Sequence, residues 1–316
     1  MKKSDWYYSL MFNEAIYTKS KQAFEDFFCN IMKAENDHFQ KVKASGRIGD
    51  NSCDGFNDVT GVYYLCYSPE DIKKKVTQKN AITKITNDLN GIISKWSNIK
   101  SLKYVINDKF SGLSPDIHKL IHDLKNSLSV DIELLSMESL RNICLSLDET
   151  EKRRLLGYCP DLENSKISID FDTISKIVQY LEKNPLTDND DDNLVVPDFT
   201  EKIEFNKLSK KIAAQLNNAK LYISKVDEFF DNSPSYDKEN LRNYIRQIYF
   251  KAQKDISNTE SNYSDRIFIF ILKNMVYDLS SKTVIDNAIV IIATFFESCD
   301  IFQEPIYEDK NEQVIP

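Results

Sequence analysis

Gly46-Arg-Ile-Gly-Asp-Asn-Ser-Cys-Asp-Gly-Phe56, followed shortly by Gly61-Val-Tyr-Tyr-Leu-Cys-Tyr-Ser68, is the stretch on which the fold turns. The segment from Gly46 to Gly61 is rich in Gly, Asp, Asn and Ser, residues that favour turns through local hydrogen bonds and backbone freedom. The segment after it is an aromatic-rich strand, and Pro69 ends it because proline cannot donate to a ladder. Upstream, Phe39-Gln-Lys-Val-Lys43 alternates apolar and polar residues as a half-buried strand does. Further back, Ile16, Phe24, Phe27, Phe28, Ile31 and Met32 recur at helical spacing, which predicts one amphipathic helix from Phe12 to Ala34.

Working downstream, Ile82, Ile85, Leu89, Ile92, Ile93 and Trp96 predict a helix over 72–96, and Leu102-Lys-Tyr-Val-Ile-Asn107 a short apolar strand. Ser114-Pro115-Asp116 carries a helix-start signature, an N-cap serine with proline in the first turn, and opens a helix through Leu128. A strand over 130–135 and a short helix over 137–147 follow. Residues 12 to about 157 therefore read as one α/β domain built on about four strands. Beyond Pro160 the apolar spacing is helical throughout. A first helix spans 174–181, and four more cover about 208–231, 237–256, 263–279 and 283–299. The run Asp188-Asn-Asp-Asp-Asp192 lies between prolines 185 and 197, as a solvated linker does. The expected organisation is an α/β domain over 1–160, a helix and acidic linker over 161–200, an all-α helical bundle over 201–303 and a polar tail over 304–316.

Length and charge agree with this division. At 316 residues the chain exceeds the ~250–300 at which single cores stop growing. Its 41 Lys and Arg against 49 Asp and Glu leave a net charge of −8, so no global positive field draws polyanions, and nucleic-acid contact needs a local basic patch. The dense basic clusters of the first domain are Lys73-Lys74-Lys75 and Lys152-Arg153-Arg154. The six cysteines form no CxxC pair, the opening MKKSDWYYSL lacks an apolar signal region, and no apolar run approaches the ~18 residues of a membrane span. A cytoplasmic protein with reduced thiols, not in a membrane, is expected. No GxxxxGK[ST] phosphate loop occurs.

Asp50 and Asp54 stand four apart at the turn beside the aromatic strand. Two such carboxylates suit a hard divalent cation such as Mg²⁺, or serve as ordinary turn formers that bond local amides. Glu14 and Glu25, on the first helix, are candidates for a further acidic ligand or for solvated helix charges. His118 and His122 form an i,i+4 pair without a completing ligand, and read as a polar helix face. The C-terminal segments Ile267-Phe-Ile-Phe-Ile-Leu272 and Ala288-Ile-Val-Ile-Ile-Ala-Thr-Phe-Phe296 are apolar all round. They must be buried, either in the bundle or against another chain.

Gly49-Asp-Asn-Ser-Cys-Asp-Gly55, Tyr63-Tyr-Leu-Cys-Tyr-Ser-Pro69 and the segments at Trp96, Lys103–Asn107 and Gly112–Pro115 resemble the PD-(D/E)XK restriction-endonuclease fold, in its Mrr-like branch. They are similar in particular to the GDxxCDG and FQVYAP signatures of bacterial ABC-three component antiphage proteins. Lys202–Ser209 and Phe295-Phe-Glu-Ser-Cys-Asp-Ile-Phe-Gln-Glu-Pro305 resemble C-terminal domains of the same systems. The resemblance implies a restriction-endonuclease-like domain, a small mixed sheet flanked by helices. It places Asp54 at the metal-ligand position, with Asp50 beside it, Leu65 at the Gln/Glu position and Tyr67 at the catalytic-lysine position. Leucine cannot ligate a metal through its side chain, and a tyrosine with pKa near ~10 is neutral, so the direct implication is a degenerate site. An active site would be a Mg²⁺-dependent endodeoxyribonuclease, with a displaced lysine sought at Lys73, Lys74 or Lys75. Those lysines with Arg153 and Arg154 would touch double-stranded DNA. Phe295, Phe296, Ile301 and Phe302 would dock the chain onto an SMC/Rad50-like ABC ATPase, with a small accessory subunit as the third component.

Overall fold

A computed structural model describes residues 4–43, 53–69, 75–128, 130–160, 167–185, 199–258, 262–298 and 301–302. The chain divides into two compact units, Met1–Leu156 and Gly157–Pro316.

The first unit begins with helices α1 (Asp5–Thr18) and α2 (Lys21–Glu35) in place of the single helix expected. Apolar spacing runs through the break, so local periodicity does not register it. The cause is tertiary. The fully buried Asn107, some ninety residues away in sequence, donates from Nδ2 to the carbonyls of Ile16 (2.9 Å) and Lys19 (3.1 Å), taking acceptors at the end of α1. Lys21 then adopts φ 50°, and its N–H donates to the Ser68 carbonyl at 2.8 Å.

Strands β1 (Phe39–Lys41), β2 (Gly55–Asn57), β3 (Val62–Tyr67), β4 (Ser101–Ile106) and β5 (Asp131–Leu135) form one sheet in that order. The first two pairings are antiparallel and the last two parallel. The segment expected to be turn alone thus contains β2, three residues too short to show a period of two. Helix α3 (Lys75–Lys95) connects β3 to β4, and α4 (Pro115–Ser127) connects β4 to β5. Alternation assigns the two faces of β3. Tyr63 and Leu65 join Tyr104 of β4, the α3 stripe Ala81, Ile85, Leu89 and Ile92, and Ile117 and Ile121 of α4 in one apolar core. Tyr64 points the other way, onto Phe28 of α2 and Phe39 of β1, with ring centroids 5.6 Å from each. Helices α5 (Met137–Ser146) and α6 (Glu149–Leu156) complete the unit, α6 being absent from the sequence reading.

The second unit, among the described residues, is helical: α7 (Phe171–Lys183), α8 (Phe199–Phe205), α9 (Lys210–Lys220), α10 (Ile223–Asn232), α11 (Lys238–Asp255), α12 (Tyr263–Met275) and α13 (Lys282–Glu297). Helix α13 is buried on every side from Val284 to Phe296 and packs against α7, α9, α10 and α12, so its apolar circumference is the unit's own core. Side-chain caps set several starts. Asp170 accepts from the amides of Asp172 and Thr173, Ser209 from Ile212, Asp237 from Glu239 and Ser281 from Val284. Helices α9 and α10 replace the one helix expected over 208–231. Ile212, Leu216, Ala219, Val226 and Phe229 keep helical phase across the break, so the pattern cannot reveal it. The expected acidic linker at 188–192 and the tail from 304 lie outside the described residues. Among the described residues no helix is long and apolar enough to cross a membrane.

Candidate functional site

Asp54 stands at the entry to β2. Its N–H donates to the Tyr64 carbonyl at 3.0 Å, and its own carbonyl accepts from Val42 at 3.0 Å. Strand β2 begins at Gly55, opposite Tyr64, which leaves the Cys66 amide beyond the last rung. The Asp54 carboxylate takes that amide, Oδ2 accepting from Cys66 N–H at 2.6 Å. The aspartate is thereby fixed onto β3 between Leu65 and Tyr67. Gly55 is required for space: a Cβ there would lie 2.3 Å from the Phe39 ring.

The two positions that depart from the nuclease pattern differ in environment. Leu65 is 1% exposed, packed under α3. Tyr67 is half-buried at the strand end. Burial raises its hydroxyl pKa above the ordinary value and the Lys84 charge opposes the rise, so the phenol stays neutral at pH 7. Lys84, on α3, donates to Asp88 Oδ2 at 2.8 Å, and the hydroxyl of the fully buried Tyr104 donates to the same oxygen at 2.9 Å. Burial, the Asp88 carboxylate and, more weakly, Asp54 all raise the Tyr104 hydroxyl pKa. None of Lys84, Asp88 and Tyr104 was singled out from sequence. The available signal was that Lys84 and Asp88, at i,i+4, each precede a residue of the α3 core stripe, Ile85 and Leu89.

On the α2 side, Glu25 accepts from Gln22 at 2.9 Å and lies 4.0 Å from the Lys41 ammonium, which also pairs with Asp26. Hydrogen bonds from Lys41 and Gln22 hold the Asp26 carboxyl below its usual range. Cys29 is pushed up to about 12 by burial, and Cys66 is driven well above its ordinary value by burial and then by the charge of Asp54, so both are protonated thiols. Glu25 contributes to both of these shifts. Glu14, in contrast with the solvated charge considered for it, is buried within α1 at 3% exposure. Asp50, Lys73 and Lys74 lie outside the described residues, and Lys75 is placed by its backbone as the first residue of α3. Among the described residues, no group of three or more His, Cys, Asp or Glu comes together to hold a metal ion. One Asp54 oxygen is committed to an amide, and the Leu65 side chain offers no donor. The described donor set does not fit Mg²⁺.

Burial divides the basic cluster at 152–154. Lys152 is fully buried, 3.4 Å from Asp5 and 3.1 Å from Glu149, with its ammonium 5.0 Å from the centroid of the Tyr8 ring. Arg153 and Arg154 are exposed, and Arg154 is paired with Glu151 at 2.6 Å. The residues expected at a docking surface are also buried here. Phe295, Phe296, Ile301 and Phe302 are buried inside the second unit. Phe296 meets Phe199 at 5.0 Å and Phe302 at 5.5 Å between centroids, and Phe302 meets Tyr249 at 5.5 Å. The buried Lys202 ammonium donates to the Phe296 carbonyl at 3.0 Å, neutralising the end of α13. The two C-terminal segments singled out from sequence thus meet in one internal node. His118 and His122 are exposed on α4.

Neither the search of curated proteins nor that of solved structures gave a match. Residues 172–303, running from α7 past α13, match the family of C-terminal domain 10 of the ABC-three component (ABC-3C) systems. This match, over somewhat less than half of the chain, indicates a component of an ABC-three component system.

Proposed function

We propose that the chain is the part of a multi-subunit bacterial antiphage defence complex that joins a degenerate restriction-endonuclease-like module, over 1–160, to a helical docking domain, over 201–303. Its partners are an SMC/Rad50-like ABC ATPase and a small accessory subunit. The match of residues 172–303 to an ABC-3C C-terminal domain carries the system-level part. The module reading is supported by the chain order of α2, then β1, the Asp54 turn and β3 of one mixed sheet, with the Asp54 carboxylate fixed against β3. The degenerate state is supported by Leu65, buried and apolar where a ligand is needed, and by Tyr67, neutral where a cation is needed. ATP hydrolysis belongs to the partner, since this chain has no phosphate loop of the usual pattern.

A Mg²⁺-dependent DNA endonuclease is the second reading, and the charge of Lys84, which opposes the burial-driven rise of the Tyr67 hydroxyl pKa, is the observation in its favour. Incubating supercoiled plasmid with the full chain, alone and with its ATPase, in Mg²⁺ or Mn²⁺ separates the two. Intact plasmid is the expected result. Cleavage that disappears in Asp54→Ala establishes the enzyme instead.

A further inference from the structure

The two outer strands of the sheet are finished differently. Strand β1 is three residues long, and its Lys41 is engaged by Asp26 and Glu25 of α2. A short strand that carries a lysine is a blunted edge. Strand β5 is five residues long, has no lysine or proline, and pairs with Ser101–Val105 of β4 without a bulge. Among the described residues no strand pairs with its far side, and none of the backbone hydrogen bonds outside the sheet involves Asp131–Leu135. A strand paired on one side only presents a row of N–H and C=O groups on the other.

The side chains along this edge define what can extend it. Val130, Ile132 and Leu134 belong to the apolar core, so alternation puts Asp131 and Glu133 on the opposite face. Acidic residues are depleted in strands, yet these two are 46% and 50% exposed. Asp131 meets Lys125 at 2.7 Å and Glu133 meets Lys103 at 3.7 Å. Exposed pairs of this kind hold weakly and can exchange partners. A second copy does not suit the edge. Antiparallel self-pairing centred on Ile132 or on Glu133 sets acid directly opposite acid, which opposes pairing.

From this geometry we infer that β5 is a docking edge for an extended segment of another protein, which adds a strand to the sheet. That segment alternates basic residues, opposite Asp131 and Glu133, with apolar residues beside Ile132 and Leu134. Main-chain hydrogen bonds supply the affinity and the alternating pattern the selectivity. The inference uses only the sheet of the first unit and does not depend on the nuclease-type or defence-complex reading.

The test is fluorescence anisotropy of the full chain with a cyclic β-hairpin peptide whose outer strand alternates Lys and Val, a preorganised form that lowers the ordering cost. Hydrogen exchange locates the contact. The peptide is expected to bind and to slow exchange of the β5 amides, leaving those of β1 unchanged. Binding is expected to be lost when Glu replaces Lys in the peptide, and also when the outer-edge amides of the Lys peptide are N-methylated. The double variant Asp131→Asn, Glu133→Gln is expected to bind about tenfold more weakly at an unchanged thermal midpoint. Asp172→Asn, an exposed carboxylate on α7, is expected to change nothing. An N-methylated peptide that binds as tightly as its parent overturns the inference, as does protection at β1 in place of β5. Absence of binding by the Lys peptide at about 1 mM overturns it as well. A dimer of the full chain that Glu133→Lys dissociates gives the edge to a second copy, with the same consequence. Each of these results leaves the defence-complex reading standing.

Discussion

Asp54 shows how one carboxylate serves the sheet before it serves any chemistry. Its Oδ2 closes the open rung at Cys66, a hydrogen bond to a charged acceptor beside the buried thiols Cys29 and Cys53. Such bonds contribute about 1.5–3 kcal/mol, and the partner left behind here is a backbone amide. Asp54→Ala is therefore expected to lower unfolding stability by about 2 kcal/mol, read as a fall in the urea midpoint at unchanged slope. Asp54→Asn, which keeps an acceptor, should recover part of it. An Asp54→Ala chain as stable as wild type would mean that the carboxylate does not brace β3. At this scale the sequence was legible where chemistry is local: the turn aspartate and the strand it precedes. It was not legible at Lys152 or Glu14, because burial depends on contacts with distant residues such as Asp5 and Tyr8, which no window contains. Lys84 was overlooked for the same reason, since Tyr104 belongs to another element.

Among elements, the strands with enough residues to show a period appear where spacing places them, as β3, β4 and β5 do. Breaks between helices were invisible whenever the apolar phase ran through them, at α1–α2 and at α9–α10. In the first case the cause is Asn107, whose amide intercepts the carbonyls that a continuous helix would have used. The Ser114-Pro115 start was legible as a boundary, although Ser114 makes no side-chain cap hydrogen bond there. The C-terminal node teaches a similar lesson. The resemblance to ABC-three component C-terminal domains implies a docking role for Phe302 and Phe296, yet they pack against Tyr249 and Phe199. Truncating a buried phenylalanine costs about 3–5 kcal/mol. Phe302→Ala should accordingly produce a marked fall in the thermal midpoint of the second unit. A variant with full thermal stability and lost partner binding would return Phe302 to a docking role.

At the scale of the whole molecule, two compact units with different construction share one chain: a mixed sheet flanked by helices, and a bundle threaded by the apolar helix α13. The net charge of −8 gives the protein no general affinity for polyanions. The proposed docking surface is to be sought on the exterior of the second unit, since the aromatic node is spent on its interior. The most direct measurement is coexpression of the full chain with the coiled-coil ABC ATPase and small subunit of its own system, followed by size-exclusion chromatography with mass determination. The account predicts one co-eluting assembly that contains all three chains. A chain that elutes by itself, with the ATPase and small subunit assembled without it, would contradict it.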